Sequence, residues 1–470
     1  MTDSSEDVPL VSEADWRALV ERQLHGAPFE TLETLAEDGF RYGPIHARRG
    51  AEPILREGAG RPWSVVQRVD DPDLGRATRQ ADDDVKGGAT GVAFCFAGSP
   101  AARGFGVPLD ADALAPLILH DAGDRDVARI RLEPHAEFAA LATFAGRLTQ
   151  LGRRGVDVGL DPVGPLAGVG PRPHDAADLA ARFADAVRQA HEAGVVGRLV
   201  EADGRVFHDA GATPAQELAA VLAVAVQALR TLDGAGITVG EAADRLGLTV
   251  ALDQRAFIGI AKLRALRLLW ARLMELLAGP AAPARVHAET SFRMTTVHDA
   301  ETGILRNTVA AFAAGVGGAD SLTVLPHTIA AGLPEAKARR LARNLQLLLI
   351  EESGLHHLAD PAAGAGGLEV LTDRLCEAAW AELQRIEAEG GILRSLGTGG
   401  LQTRIAAAAG DREAKIAAGE EVIVGINRYR APSEAPAQVL TIRGDTEQAA
   451  TPVPGALTPR RLEARAGSAA

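Results

Sequence analysis

The sequence predicts an α/β fold, a parallel (β/α)8 barrel with an N-terminal helical extension and C-terminal helices. Three observations carry that prediction. Short apolar runs recur along the middle of the chain, amphipathic helical patterns separate most of them, and no G-x-G-x-x-G follows the first run. Strand and helix in alternation imply parallel strands joined by crossover helices. The missing glycine motif weakens the alternative, an open doubly wound sheet.

The elements justify themselves in order. Trp16, Leu19, Val20 and Leu24 share helical spacing, so a helix is expected over Glu13–Leu24. A turn-rich connection follows, marked by Pro53, Gly58, Gly60 and Pro62. From residue 89 the buried-strand candidates are Gly91–Phe96, Val127–Leu132, Val156–Leu160, Arg198–Glu201, Leu248–Leu252, Arg285–Glu289 and Ser321–Leu325. These are seven, so an eighth is expected to complete the barrel. The intervening helical patterns are Glu137–Leu151, Ala176–Ala193, Pro214–Leu232, Gln254–Ala278, Thr302–Ala314 and Pro334–Glu352. Two further helices, Gly367–Glu389 and Thr403–Ala418, then a strand-like Glu421–Ile426, precede a tail expected to be mobile at its end. The expected division is an extension over 1–84, the barrel over 85–355, a helical segment over 356–430 and a tail over 431–470.

Composition narrows the function. A formal charge of −13 argues against a nucleic-acid or anionic-membrane surface, because both require basic patches. The hydrophobic fraction of 47 % supplies a large core, while abundant Ala and Gly suit helices packed closely on a sheet. Only Cys95 and Cys376 are present, too few for a disulfide scaffold. The acidic N-terminus lacks a basic-then-apolar signal pattern, and no run of about 18 apolar residues appears, so a cytoplasmic location without membrane association is expected.

Several stretches resemble the methylmalonyl-CoA mutase family. The run from Ala261 to Leu273 is similar to the family's AKLRAARMLWAKL, and that from Arg343 to Gly354 to RNTQLFLQQESG. Asp360–Gly364 resembles DPWSG, Val424–Tyr429 resembles IGVNKY, and Arg61–Gln67 resembles the start of RPWTIRQY. The resemblance implies a carbon-skeleton rearrangement in which adenosylcobalamin supplies the radical chemistry and the barrel encloses an acyl-CoA. It also implies a cobalamin domain with D-x-H-x-x-G. His120 and His208 each lie in H-x-x-G, but Ile118 and Val206 stand where the aspartate belongs, and a flavodoxin-like cobalamin domain is expected to be absent.

Departures from the family pattern fall at functional positions. Val66 replaces an arginine for CoA phosphates, Arg68 replaces the tyrosine over the acyl group, and Ile329 replaces an acidic residue near the adenosyl group. His208 keeps the place of the histidine that bonds the thioester, and Ala210–Thr213 keeps the AGAT ending of GYHMQEAGAT, but the chain is two residues shorter between them, with Phe207 for tyrosine. The resemblance therefore implies the family's small-subunit type, expected to be inactive itself and to stabilise a catalytic large subunit in a heterodimer. No cofactor is expected on this chain, with adenosylcobalamin held by the complex. The candidate residues are His208 for catalysis, against a structural histidine, and Arg61 and Ser64 as a CoA-binding remnant, with a surface ion pair the plainer reading of Arg61. Two alternatives stay open: a catalytic barrel served by a separate cobalamin protein, and a non-enzymatic CoA-binding or structural homodimer. No metal site is expected; adjacent His356 and His357 diverge and lack a third ligand. Asp82–Asp84 is read as a loop, and Lys262, Arg264 and Arg267 as a mostly solvated or paired helix face.

Overall fold

Alternate residues of a strand point to opposite sides, and here the two sides differ sharply in chemistry. The computed structural model describes residues 12–110, 112–114, 129–168, 176–277, 283–431, 433, 435–442 and 455–463. Eight parallel strands form the barrel: β1 (Ser64–Val69), β2 (Gly91–Phe94), β3 (Arg129–Leu132), β4 (Val156–Val158), β5 (Val200–Asp203), β6 (Leu246–Leu252), β7 (Val286–Thr290) and β8 (Ser321–Thr323). Each pairs with its sequence neighbours except β4 with β5, and β8 pairs with β1. Between β4 and β5 the barrel closes through a parallel bridge from Leu160 to Val200 and through Glu201 N–H donating to Leu160 O at 3.1 Å.

The eighth strand is β1, and it corrects the barrel boundary set at residue 85. Its Gln67–Arg68 pair breaks the apolar run that marks the other strands. Both side chains are nevertheless buried, Gln67 donating to Asp84 and to Arg339 O outside the barrel, Arg68 pairing inside it. The helix after it, Leu74–Lys86, also begins before that boundary and runs across it.

The helices include α1 (Glu13–Gln23), α2 (Leu74–Lys86), α3 (Phe138–Gln150), α4 (Ala176–Glu192), α5 (Arg205–Ala210), α6 (Pro214–Gly234), α7 (Ala256–Leu277), α8 (Thr302–Val316), α9 (Ala336–Leu347), α10 (Gly366–Ala388) and α11 (Gly400–Ala417), with shorter ones at Gly164–Ala167, Val239–Asp244 and Ile392–Thr398. Ser12 and Asp15 form a capping box at the start of α1, and Thr213 with Gln216 does the same for α6. Helix α6 is long and apolar enough to cross a membrane, though 78 % of its apolar window is buried inside the fold. Helix α10 packs over α6 and α7, adding a second layer outside the barrel.

Of the two readings of Lys262, Arg264 and Arg267 on α7, solvated or paired, the structure shows the second, and all three are buried. Lys262 pairs with Glu217, Arg264 with Asp360 and Glu369, and Arg267 with Asp320. Asp82–Asp84 is likewise helical, forming the end of α2, and Asp84 is buried against Arg339 and Arg343 of α9. Glu421–Ile426 is no strand: it turns back on itself, with Gly425 N–H donating to Arg428 O. In the tail, Val439–Ile442 pairs antiparallel with Gly332–Pro334, and Leu457 is buried. His120 and the first two residues of the expected strand Val127–Leu132 lie outside the described residues.

Candidate functional site

The outer face of the barrel is aliphatic, as its helices require. Val92, Phe94, Ile130, Leu132, Val156, Val158, Leu248, Val250 and Leu322 all belong to the main core. The inner face instead alternates small residues with charges. Ala93 sits between Arg68 and Arg131, and Ala251 beside Glu289. A lumen lined by small side chains leaves room for long ones, and arginines and carboxylates fill it.

Those charges form one buried web. Arg131 reaches Glu133 at 2.8 Å, Glu201 across the barrel at 3.1 Å and Thr249 Oγ1 at 3.0 Å. Arg205, at the start of α5, pairs with Asp203 at 2.6 Å, with Glu289 at 2.9 Å and with Glu133. Arg68 meets Asp70 at 3.0 Å and Glu289 at 3.5 Å, and donates to Ala101 O. Arg103 bridges Asp209 at 2.7 Å and Glu289 at 3.3 Å, with its guanidinium 4.2 Å from the centre of the Phe292 ring. Burying charges is costly unless each finds partners, and here every arginine has at least two carboxylates or other acceptors. The web joins residues of β1, β3, β5, β6 and β7 across the lumen.

His208 lies on α5 above β5, at the C-terminal end of the strands where barrel active sites form. Its Nδ1 is 2.7 Å from Glu217 Oε2 and its Nε2 is 2.7 Å from Ser291 Oγ. Both ring nitrogens are therefore engaged, and the side chain is buried. Burial, with Arg293 nearby, pushes the imidazole pKa down and favours its neutral form. For Glu217, burial alone would raise the carboxyl, but Lys262 and His208 outweigh it and hold the pKa at about 2. The cluster is a filled polar network, with Lys262 also donating to Ala251 O at 2.7 Å.

Arg61 and Ser64 lie elsewhere. Arg61 is exposed in a turn with its N–H donating to Gly58 O, and Ser64 opens β1, beside Ser321 of β8. Strand starts occupy the opposite end of the barrel from His208, so the fold does not bring the three candidates together. Val66 and Ile329 are buried, the latter packed with Phe292 and Leu325. His356 and His357 do not diverge as expected: their rings meet edge to face with centroids 4.2 Å apart in a short turn, and no group of three metal-ligating side chains occurs among the described residues.

Sequence reasoning missed the web itself. Its signal was present: charged residues interrupt or end otherwise apolar strands, as in Arg129-Ile-Arg-Leu-Glu133, Val200-Glu-Ala-Asp203 and Val286-His-Ala-Glu289. At the C-terminal mouth lies a cavity of about 190 Å³, walled in part by Ser99, Arg103, Asp203, Arg205, Asp209 and Leu457.

Comparison with known proteins places this geometry. The family model for methylmalonyl-CoA mutase matches residues 180–453. The methylmalonyl-CoA mutase small subunit of Streptomyces virginiae is 35 % identical over 461 residues, covering 92 % of this chain and 72 % of that protein. That of Propionibacterium freudenreichii subsp. shermanii is 31 % identical over 459 residues, covering 90 % and 69 %. A probable methylmalonyl-CoA mutase small subunit from Mycobacterium tuberculosis is 43 % identical over 280 residues, so the match spans 58 % of this chain and 44 % of that relative. With a model matching more than half its length and two relatives above 30 % identity over most of theirs, this chain belongs to the methylmalonyl-CoA mutase family.

Proposed function

We propose that the chain is the small subunit of a heterodimeric adenosylcobalamin-dependent methylmalonyl-CoA mutase, non-catalytic itself and stabilising a catalytic large subunit. The observation that carries this reading is the lumen. Arg68, at the position of the family's tyrosine, is tied into a buried web with Asp70, Glu289 and Ala101 O, and the space an acyl-CoA would thread is occupied by the protein's own charges. His208 supports it as well, because Glu217 and Ser291 take both nitrogens a thioester carbonyl would need.

A subunit role is also supported by α1. Among its described residues none is buried; Leu19 is 50 % exposed, and Trp16 packs edge-on against Phe29 with ring centroids 5.8 Å apart. An amphipathic helix with no buried face in its own chain calls for a partner.

The residues described do not fit cobalamin. Among the described residues His191 and His208 lie in H-x-x-G; Gln189 and Val206 stand in the aspartate's place, and the His208 ring is locked inside the fold. In this reading the partner carries the cofactor and the isomerisation of methylmalonyl-CoA to succinyl-CoA, and the location is cytoplasmic. Mixing the purified chain with its catalytic partner and sizing the product tests the proposal. A one-to-one complex with mutase activity is expected, together with no turnover by this chain supplied with adenosylcobalamin alone. Elution as two separate species would overturn it.

A further inference from the structure

The tail returns to the barrel and crosses its C-terminal mouth. Residues 455–463 touch the loops that follow three different strands. Leu457 N–H donates to Ala167 O at 2.8 Å, in the turn after β4. Arg460 N–H donates to Asp209 O at 2.7 Å, on α5 after β5, and Leu462 N–H to Arg293 O at 3.0 Å, after β7. Side chains hold both ends of the crossing. Leu457 is 5 % exposed and joins the main hydrophobic core. The Glu463 carboxylate accepts from the backbone N–H groups of Val297 at 2.7 Å and His298 at 2.8 Å, and Arg461 pairs with it at 2.9 Å. Between them, Arg460 reaches Glu413 of α11 at 2.9 Å.

Beneath this crossing is the mouth cavity, whose walls include Leu457 and Pro459 from above and Arg103, Arg205 and Asp209 from below. We infer that residues 455–463 act as a lid supplied by the chain itself, closing the barrel at the end where ligands enter such folds. Leu457 is its plug and Glu463 its latch. The three backbone bonds fasten it to separate loops, so it holds those loops together while it is closed. It goes beyond the subunit reading, since a lid over the mouth is required neither by a filled lumen nor by a partner.

The latch is local, which makes the lid separable from the barrel. Glu463→Gln removes the charge that two N–H groups and Arg461 converge on, and Leu457→Ala shrinks the plug, while the web beneath is untouched.

The test places a reporter thiol under the lid. Val206 lines the cavity and is 9 % exposed, so Val206→Cys marks its floor, and the native Cys376 on α10 is an internal reference. Alkylation by iodoacetamide is followed at each thiol by mass spectrometry in the full-length protein. Adding Glu463→Gln and Leu457→Ala is expected to speed labelling at position 206 by roughly tenfold or more, with Cys376 unchanged. Equal rates at position 206 with and without the latch substitutions would overturn the lid. So would parallel acceleration at both thiols, which would mean that the barrel loosens as a whole. Hydrogen exchange supplies a second reading that needs no substitution: the amides of Leu457, Arg460 and Leu462 are expected to be protected, and exchange at unprotected rates would refute the closed state.

Discussion

Glu289 is the residue on which the lumen web converges, and Glu289→Gln tests whether that web holds the barrel together. The carboxylate is 1 % exposed and meets Arg205 at 2.9 Å, Arg103 at 3.3 Å and Arg68 at 3.5 Å. At about 3 Å and an effective dielectric constant near 20, each contact is worth roughly 5 kcal/mol before desolvation is subtracted. Removing one partner from a buried ion pair costs about 3–5 kcal/mol, because the other charge stays buried without compensation. Asp70, Asp203, Glu133 and Asp209 still neutralise the three arginines, so the lower end, about 3 kcal/mol, is expected. Glutamine keeps the volume, so no cavity term enters, but its amide N–H₂ must face a guanidinium. Urea unfolding of the two proteins measures the difference. Glu275→Gln is the control: its pair with Arg272 is short, at 2.5 Å, yet both side chains are more than half exposed, and no measurable loss is expected. If Glu289→Gln unfolds within about 0.5 kcal/mol of the parent, the web is not bracing the barrel and the reasoning fails.

Two further expectations concern the same end of the molecule. Asp161 follows β4, fully buried; burial, with Asp203 nearby, lifts its pKa from 3.8 to about 7 against the backbone N–H groups of Val163 and Gly164 that it accepts. The folded state therefore binds this proton more tightly than the unfolded state, so the stabilisation is full below the ordinary value and is lost as pH rises through about 7, on the order of 4 kcal/mol. Asp161→Asn keeps an acceptor for both N–H groups and should flatten the stability profile across that window; parallel profiles for the two proteins in urea at a series of pH values would contradict the assignment. Gly106 has φ of +120°, and a Cβ there would lie 2.6 Å from Ala97 N and 2.8 Å from Cys95 O. Gly106→Ala is expected to cost about 2 kcal/mol or more, since the neighbours are backbone atoms that cannot rotate away, and a calorimetric midpoint equal to the parent's would contradict it.

How much of this was legible in the sequence depends on which face of each strand carried the signal. Seven strands were visible because their outward faces are aliphatic and the runs are short and clean. Strand β1 was not, because Gln67 and Arg68 are consecutive and polar; only the three-dimensional structure shows that one bonds to Arg339 O outside the barrel and the other to Asp70 within it. The Lys262, Arg264 and Arg267 face read as mostly solvated or paired for a similar reason. Periodicity shows that three cations share a region of a helix, but not that α10 will cover it and supply Glu369, or that Glu217, Asp320 and Asp360 will close the remaining pairs. The substitutions at Val66, Arg68 and Ile329 could be read one at a time as losses from a family pattern. Their collective consequence could not, because the partners come from positions far apart in the chain: Arg68 meets Glu289, and Arg131 meets Glu201. Losing the tyrosine did not leave a vacancy. Its replacement is a charge that needs carboxylates, the carboxylates need further arginines, and the small residues on alternate lumen positions admit them all. In the proposed small-subunit reading, the side chains that would close a substrate channel are the same ones that would keep the barrel rigid for its partner.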